Sequence, residues 1–153
     1  MKLAILSDTH NLLRPQVLEA LRGVDAILHG GDISKQEILD RLEEFAPVCV
    51  VRGNNDKEWA EHLPHDRTLT LDGVTFYMVH KKAEVPKGLT GVDVILYGHS
   101  HKYSEEVKDG VLWLNPGSCG PRRFHQDITM AIMDIENGSY TVEKLLSPHE
   151  PQK

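Results

Sequence analysis

Ala26-Ile27-Leu28-His29-Gly30-Gly31-Asp32-Ile33 is the stretch on which the reading of the fold turns. Its apolar run reads as a buried strand, and its two glycines let the chain turn where a side chain would clash. Asp32 is thereby delivered beyond the strand end into a crevice rather than along a surface. By itself Gly-Gly-Asp marks a turn. It gains chemical meaning because three other predicted strand ends also finish in metal-ligating residue types. Upstream, a continuously apolar strand over 3–6, buried on both faces, ends at Ser7-Asp8-Thr9-His10. A helix follows, with Pro15 in its first turn, Val17, Leu18 and Leu21 on one face and Gly23 as its stop. After the second strand, over 25–28, Ser34 and Glu37 predict a capping box, and Ile38, Leu39 and Leu42 form the core stripe of a second helix. Pro47 closes that unit, and a strand over 48–51 empties into Arg52-Gly53-Asn54-Asn55-Asp56. Such alternation implies parallel strands joined by right-handed crossovers.

The second half changes character. Asp72-Gly73, Asp109-Gly110 and Asn137-Gly138 each sit between β-prone runs and predict three two-residue hairpins. A buried strand over 92–96 ends at Gly98-His99-Ser100-His101. The expected architecture is two packed mixed sheets with helices outside, over a single domain of residues 1–146, with 147–153 as a frayed tail. A net charge of -6 argues against broad binding to nucleic acid or anionic membranes, since no face of clustered Lys and Arg is visible. No apolar run approaches the ~20 residues that span a bilayer. Met1-Lys2 leads directly into a strand, so a cytoplasmic location is expected. Cys49 and Cys119 make neither a disulfide framework nor a thiolate metal motif and are expected to be reduced.

In an extended segment residues i and i+2 point the same way, so Asp8 and His10 can grip one ion together. The spacing recurs at His99 and His101. Two extended residues advance about 7 Å, whereas paired catalytic ions lie ~3.5 to 4 Å apart, so these two imidazoles can each reach a different ion. Asp32 has two oxygens with which to bridge, Asn54 offers a neutral amide oxygen, and His80 follows another predicted strand.

Asp8-x-His10, Gly31-Asp32, Gly53-Asn54-x-Asp56, His80 and Gly98-His99-x-His101, in that order, resemble the calcineurin-like metallophosphoesterase family, and Asn115-Pro116-Gly117-Ser118 resembles a signature of its small bacterial and archaeal phosphodiesterase branch. The resemblance implies a four-layer α/β/β/α sandwich of two mixed β-sheets flanked by helices. It also implies a dinuclear site, with Asp8, His10, Asp32 and His101 on one ion and Asp32, Asn54, His80 and His99 on the other. Asp32, Asn54 and His99 are the expected catalytic residues. The expected cofactors are two divalent transition-metal ions, manganese foremost, with nickel, iron, zinc or cobalt as alternatives; imidazole and oxygen donors without thiolate suit these better than Mg²⁺ or Ca²⁺. The expected reaction is hydrolysis of a small phosphate ester, a diester first, by in-line attack of a hydroxide bridging the ions. A phosphomonoesterase or nuclease on the same site is the sibling reading. A partner-binding scaffold of the retromer-subunit type is the reading from another class, and the family also implies a homo-oligomer.

Two departures stand out. Asn55 occupies the place of a histidine that in many relatives protonates the leaving group, and Lys81-Lys82 replaces the common Gly-His after His80. Asn55, Ser118 and Arg122 are the candidate substrate contacts. His29 reads as a structural group oriented against a ligand, and His62, His65, His125 and His149 as surface residues.

Overall fold

A computed structural model describes residues 1–121 and 127–147, with side chains to residue 145; Arg122, His125, His149 and most of the expected tail lie outside this range. Ten strands and two α-helices follow in chain order: β1 Lys2–Leu6, α1 Pro15–Ala20, β2 Ala26–His29, α2 Gln36–Glu43, β3 Val48–Val50, β4 Asp66–Leu71, β5 Val74–Val79, β6 Val94–Leu96, β7 Ser104–Lys108, β8 Val111–Asn115, β9 Ile128–Glu136 and β10 Ser139–Ser147. Two short 3-10 turns, Glu58–Ala60 and Lys82–Glu84, complete the set.

The strands form two mixed sheets of five, ordered β10-β9-β1-β2-β3 and β4-β5-β6-β8-β7. The three expected hairpins are present, and Asp72-Gly73, Asp109-Gly110 and Asn137-Gly138 all have positive φ at both turn positions. That backbone matches the right-handed twist of paired strands, which is why Asp-Gly and Asn-Gly were legible signals. Between the sheets lies one apolar layer: Leu3, Ile5 and Leu28 of the first sheet meet Phe76, Met78 and Leu96 of the second. Each such side chain contributes about 1.5–3 kcal/mol when fully buried. Both α-helices cover the outer face of the first sheet, where Val17, Ile38, Leu39 and Leu42 pack on Ala4, Leu6 and Ile27. The outer face of the second sheet, with Tyr77, Ile95 and Tyr97, is covered by Val85, Leu89 and Val92 of the β5–β6 connection. The fourth layer is thus a 3-10 turn and coil.

One local expectation changes. The Ser34/Glu37 capping box does not form: α2 begins at Gln36, its N-cap is Lys35 without a side-chain cap, and Ser34 has φ +82°. The Ser34 N–H is instead taken by the Asp56 carboxylate, which fixes the loop before the helix starts.

Strand register brings the loop origins level with one another. β1, β2 and β3 run parallel, with Leu6 level with His29 and His29 level with Val50. β5, β6 and β8 are parallel in the other sheet, with Met78 level with Leu96 and Leu96 level with Leu114. Loops leaving the carboxyl ends of these strands carry Asp8, Asp32, Asn54, His80 and His99, in the crevice position favoured for sites on parallel sheets.

Candidate metal centre

Backbone hydrogen bonds stitch the first two loops together: the Asp8 N–H donates to the Gly31 carbonyl at 2.9 Å and the His10 N–H to the Asp32 carbonyl at 3.0 Å. Asp8 is fully buried. Its Oδ2 accepts from the Ser7 hydroxyl at 2.7 Å and the His99 N–H at 3.1 Å, leaving Oδ1 to face inward. His80 donates from Nδ1 to the Gly30 carbonyl at 2.7 Å, which turns Nε2 toward Asp32. Asp32 Oδ1 accepts the Asn55 N–H at 2.8 Å. Its Oδ2 stands 3.1 Å from His80 Nε2 and 3.7 Å from His10 Nε2. His101 Nε2 lies 3.4 Å from Asp8 Oδ1, and His99 Nδ1 lies 3.2 Å from Asn54 Oδ1.

All seven expected ligand residues therefore meet in one place, with Asn54 against His99, and the six Asp and His donors fall into two groups. Asp8, His10 and His101 form one; Asp32, His80 and His99 form the other, with ligand atoms inside each within 4.8 Å. The two groups share an edge, because Asp32 Oδ2 approaches an imidazole nitrogen from each. Donors about 2.1 Å from a common ion stand roughly 3.0 Å apart at right angles and roughly 3.4 Å apart in a tetrahedron, close to the His80–Asp32 and His101–Asp8 separations. Asp8 Oδ1 and His10 Nε2 are buried with no hydrogen-bond partner. Buried polar atoms are almost always satisfied, and such atoms left over at the focus of four imidazoles, His80 Nε2 among them, fit divalent transition ions.

The route to this geometry is not the extended one read from the sequence. Asp8 (φ +56°), His10 (+43°), His99 (+75°) and His101 (+64°) are all left-handed, as is Asp32 (+59°). The i, i+2 pairs converge through tight turns instead of along a strand. Non-glycine residues there cost on the order of 1 kcal/mol each and cluster where the surroundings over-determine them. Close packing enforces the turns. A Cβ on Gly98 would collide with Ser7 Oγ and lie 2.7 Å from Asp8 Oδ2, and one on Gly53 would collide with Asp32 Oδ1.

Sequence reasoning gave no role to the residue that holds the second loop. Asp56 is 6% exposed, and its two oxygens accept four backbone N–H groups, from Asp32 (2.9 Å), Ile33 (2.8 Å), Ser34 (2.9 Å) and Gly53 (2.8 Å). It acts on Asp32 and Asn54 through their backbone. In the sequence Asp56 stands only as the last residue of the Gly53-Asn54-x-Asp56 motif, with no role of its own assigned.

Two candidate substrate contacts are placed differently. Asn55 turns its N–H onto Asp32 Oδ1, with its side-chain amide 3.4 Å from Oδ2, and so orients the carboxylate. Ser118 is 5% exposed and its hydroxyl donates to the Asp8 carbonyl at 3.0 Å, so it braces the first loop instead of facing a ligand. Arg122 lies outside the described residues. His62 and His65 are exposed as expected, and His65 pairs with Glu84 at 3.3 Å. Cys49 and Cys119 are free thiols.

His29 braces both loops without touching a ligand side chain. Its Nδ1 accepts the Gly31 N–H at 3.0 Å, so the proton sits on Nε2, which donates to Thr9 Oγ1 at 3.1 Å. Burial pushes its imidazole down to about 4, against the opposing pull of the Asp56 and Asp8 charges. A depressed histidine contributes stability that is fully present above its unfolded value of 6.5 and lost as pH falls toward 4, where the unfolded chain is protonated and the native state is not. The loss across this window is expected to be about 3 kcal/mol. Urea unfolding of metal-free protein at pH 7 and pH 4.5 measures it; His29→Gln should flatten that slope, and an equally steep slope in the variant would assign the acid sensitivity elsewhere.

Asp32 behaves oppositely to a plain buried acid. Burial alone would raise it, but the contacts from His80 and the Asn55 N–H and the charge of His10 hold it down at about 2. His80, which burial would lower, stands above the ordinary imidazole value because Asp32 and Asp8 face it. In metal-free protein each of the two groups thus favours the charged form of the other.

A model of the calcineurin-like phosphoesterase superfamily domain matches residues 1–138. The chain belongs to that superfamily. This phosphoesterase is 34% identical over 134 aligned positions to a probable metallophosphoesterase of Methanothermobacter thermautotrophicus, covering 77% of each chain. It is 29% identical over 165 positions to the phosphodiesterase MJ0936 of Methanocaldococcus jannaschii, covering 92% of this chain and 96% of that one. The crystal structure of Chaetomium thermophilum Vps29 matches with a TM-score of 0.77 over 96% of this phosphoesterase and 97% of that chain, at 19% identity, a likeness of fold alone.

Proposed function

We propose that this phosphoesterase is a phosphodiesterase working on two divalent transition-metal ions, manganese foremost, held by Asp8, His10 and His101 on one side and Asn54, His80 and His99 on the other, with Asp32 between them. The observation that carries the reading is the position of Asp32 Oδ2 between imidazoles of both donor groups. When bound, such ions supply Lewis-acid polarisation of a phosphoryl oxygen and acidify water at neutral pH. Asp8 and Asp32 are the ionisable carboxylates of the ligand set, so two divalent cations leave the centre net positive and attractive to an anionic ester. The Ser7 and His99 contacts fix Asp8, and the Asn55 and Asp56 contacts fix Asp32, so neither carboxylate has to reorganise when substrate arrives.

Two clefts leave the ligand set, which suits an ester with two arms. One, about 310 Å³, runs past Asn54, His80, Arg52 and Lys57; the other, about 520 Å³, runs past His99, and Lys81 borders both. Asn55 has no acidic proton to give a leaving group, and its contacts run to Asp32. The rate should therefore follow leaving-group acidity. No helix among the described residues is long and apolar enough to cross a membrane.

The test is hydrolysis of bis-p-nitrophenyl phosphate against p-nitrophenyl phosphate after chelation and reloading with Mn²⁺, Ni²⁺, Fe²⁺, Zn²⁺ or Co²⁺, with bound metal counted by mass spectrometry. A diester preference at two ions per chain supports the reading. Metal uptake without hydrolysis of either ester would favour the scaffold role instead.

A further inference from the structure

The larger cleft carries a charge pattern that the chemistry at the donors does not require. Lys81, Lys82 and Lys102 line it, and no Asp or Glu among the described residues does, in a chain whose net charge is -6. Lys82 is held in place over the faces of Tyr97 and Trp113, its ammonium 5.6 and 5.8 Å from the ring centroids. Lys81 and Lys102 enter no ion pair among the described residues. The wall between them is fixed: Asn115 Nδ2 donates to the Gly98 carbonyl at 3.3 Å and to Ser100 Oγ at 3.0 Å, and Tyr97 is 5% exposed. His99 belongs both to this cleft and to the second donor group, so an ester arm leaving the donors on that side enters the cleft directly.

Three lysines lining one concavity concentrate positive charge there, which an entering anion would offset and an uncharged organic arm would not. We propose that this cleft seats the arm of the substrate next to His99 and recognises a second phosphate on it, so that the preferred substrates are diesters bearing an additional phosphate on one arm. The proposal rests on the phosphodiesterase reading for the word substrate; the anion recognition itself does not.

Calorimetric titration separates the two. Mn²⁺-supplemented protein is titrated with thymidine 3′,5′-bisphosphate and with thymidine 5′-monophosphate, and hydrolysis is measured in parallel on thymidine 5′-(p-nitrophenyl phosphate) with and without a 3′-phosphate. Wild-type protein should bind the bisphosphate about tenfold more tightly and show a similar ratio of kcat/KM. The double variant Lys81→Met, Lys102→Met should bring both ratios within twofold, whereas Lys2→Met, at the far end of β1, should keep them. Equal binding of the two nucleotides by wild type, or an unchanged ratio in the double variant, overturns the proposal. Hydrolysis without a ratio removes this inference and leaves the phosphodiesterase reading standing. A binding ratio without hydrolysis does the reverse, keeping the anion cleft and removing the enzyme.

Discussion

Replacing Asp32 by asparagine is expected to lower phosphodiester hydrolysis about a thousandfold while leaving the fold intact. The loss follows from the position of one oxygen: Oδ2 serves both donor groups, and an amide there is neutral and offers only one oxygen to be shared. Several kcal/mol of transition-state stabilisation depend on the cations being held together, and about 4 kcal/mol corresponds to a thousandfold in rate. Folding should not suffer, because asparagine tolerates the left-handed backbone at φ +59° and can still accept the Asn55 N–H. Bound metal should fall from two ions per chain toward one, with a modest drop in melting temperature as the His80–Asp32 attraction and one native-state cation are lost. A rate within tenfold of wild type, at full metal occupancy, would remove Asp32 from the bridging position.

Asp56→Ala is expected to damage the same site by another route, through stability. Four backbone donors, three of them buried, would lose their acceptor at once. A single unsatisfied buried donor costs about 1–3 kcal/mol, and partial entry of water keeps the sum below four times that. A loss of about 3 kcal/mol, or roughly 6–12 °C in melting temperature for a domain of this size, is the expected result of thermal denaturation of metal-free protein. Asp56→Asn keeps the shape and one acceptor oxygen, so it should fall between. If Asp56→Ala melted within 2 °C of wild type, the loop would have to be held by something other than this carboxylate.

These two residues show where the sequence was informative and where it was not. Asp32 was legible because a strand signal, two glycines and a carboxylate coincide, and the same logic found Asp8, His80 and His99 at the ends of β1, β5 and β6. The hairpins were legible because Asp-Gly and Asn-Gly have few other uses between alternating runs. Asp56 was visible as a motif residue but its role was not, since its partners are backbone N–H groups that belong to any sequence. Ser118 was misjudged for a related reason: a hydroxyl after Pro-Gly can face a ligand or a carbonyl, and only the parallel bridge of Ser118 to Ile128 decides between them. The extended geometry assumed for Asp8 and His10 failed because φ is set by tertiary packing around Gly98 and Gly120, not by the two residues themselves.

The left-handed turns at Asp8, His10, Asp32, His99 and His101 also bear on how such a chain ages over generations. Each of these positions would be more comfortable as glycine or asparagine, so the chemistry is maintained against a standing thermodynamic incentive. A lineage released from hydrolysis would drift first at these five points, gaining thermal resilience as it lost turnover. The melting temperature of a decommissioned descendant, set beside that of a working enzyme, would record the tax that selection has been levying.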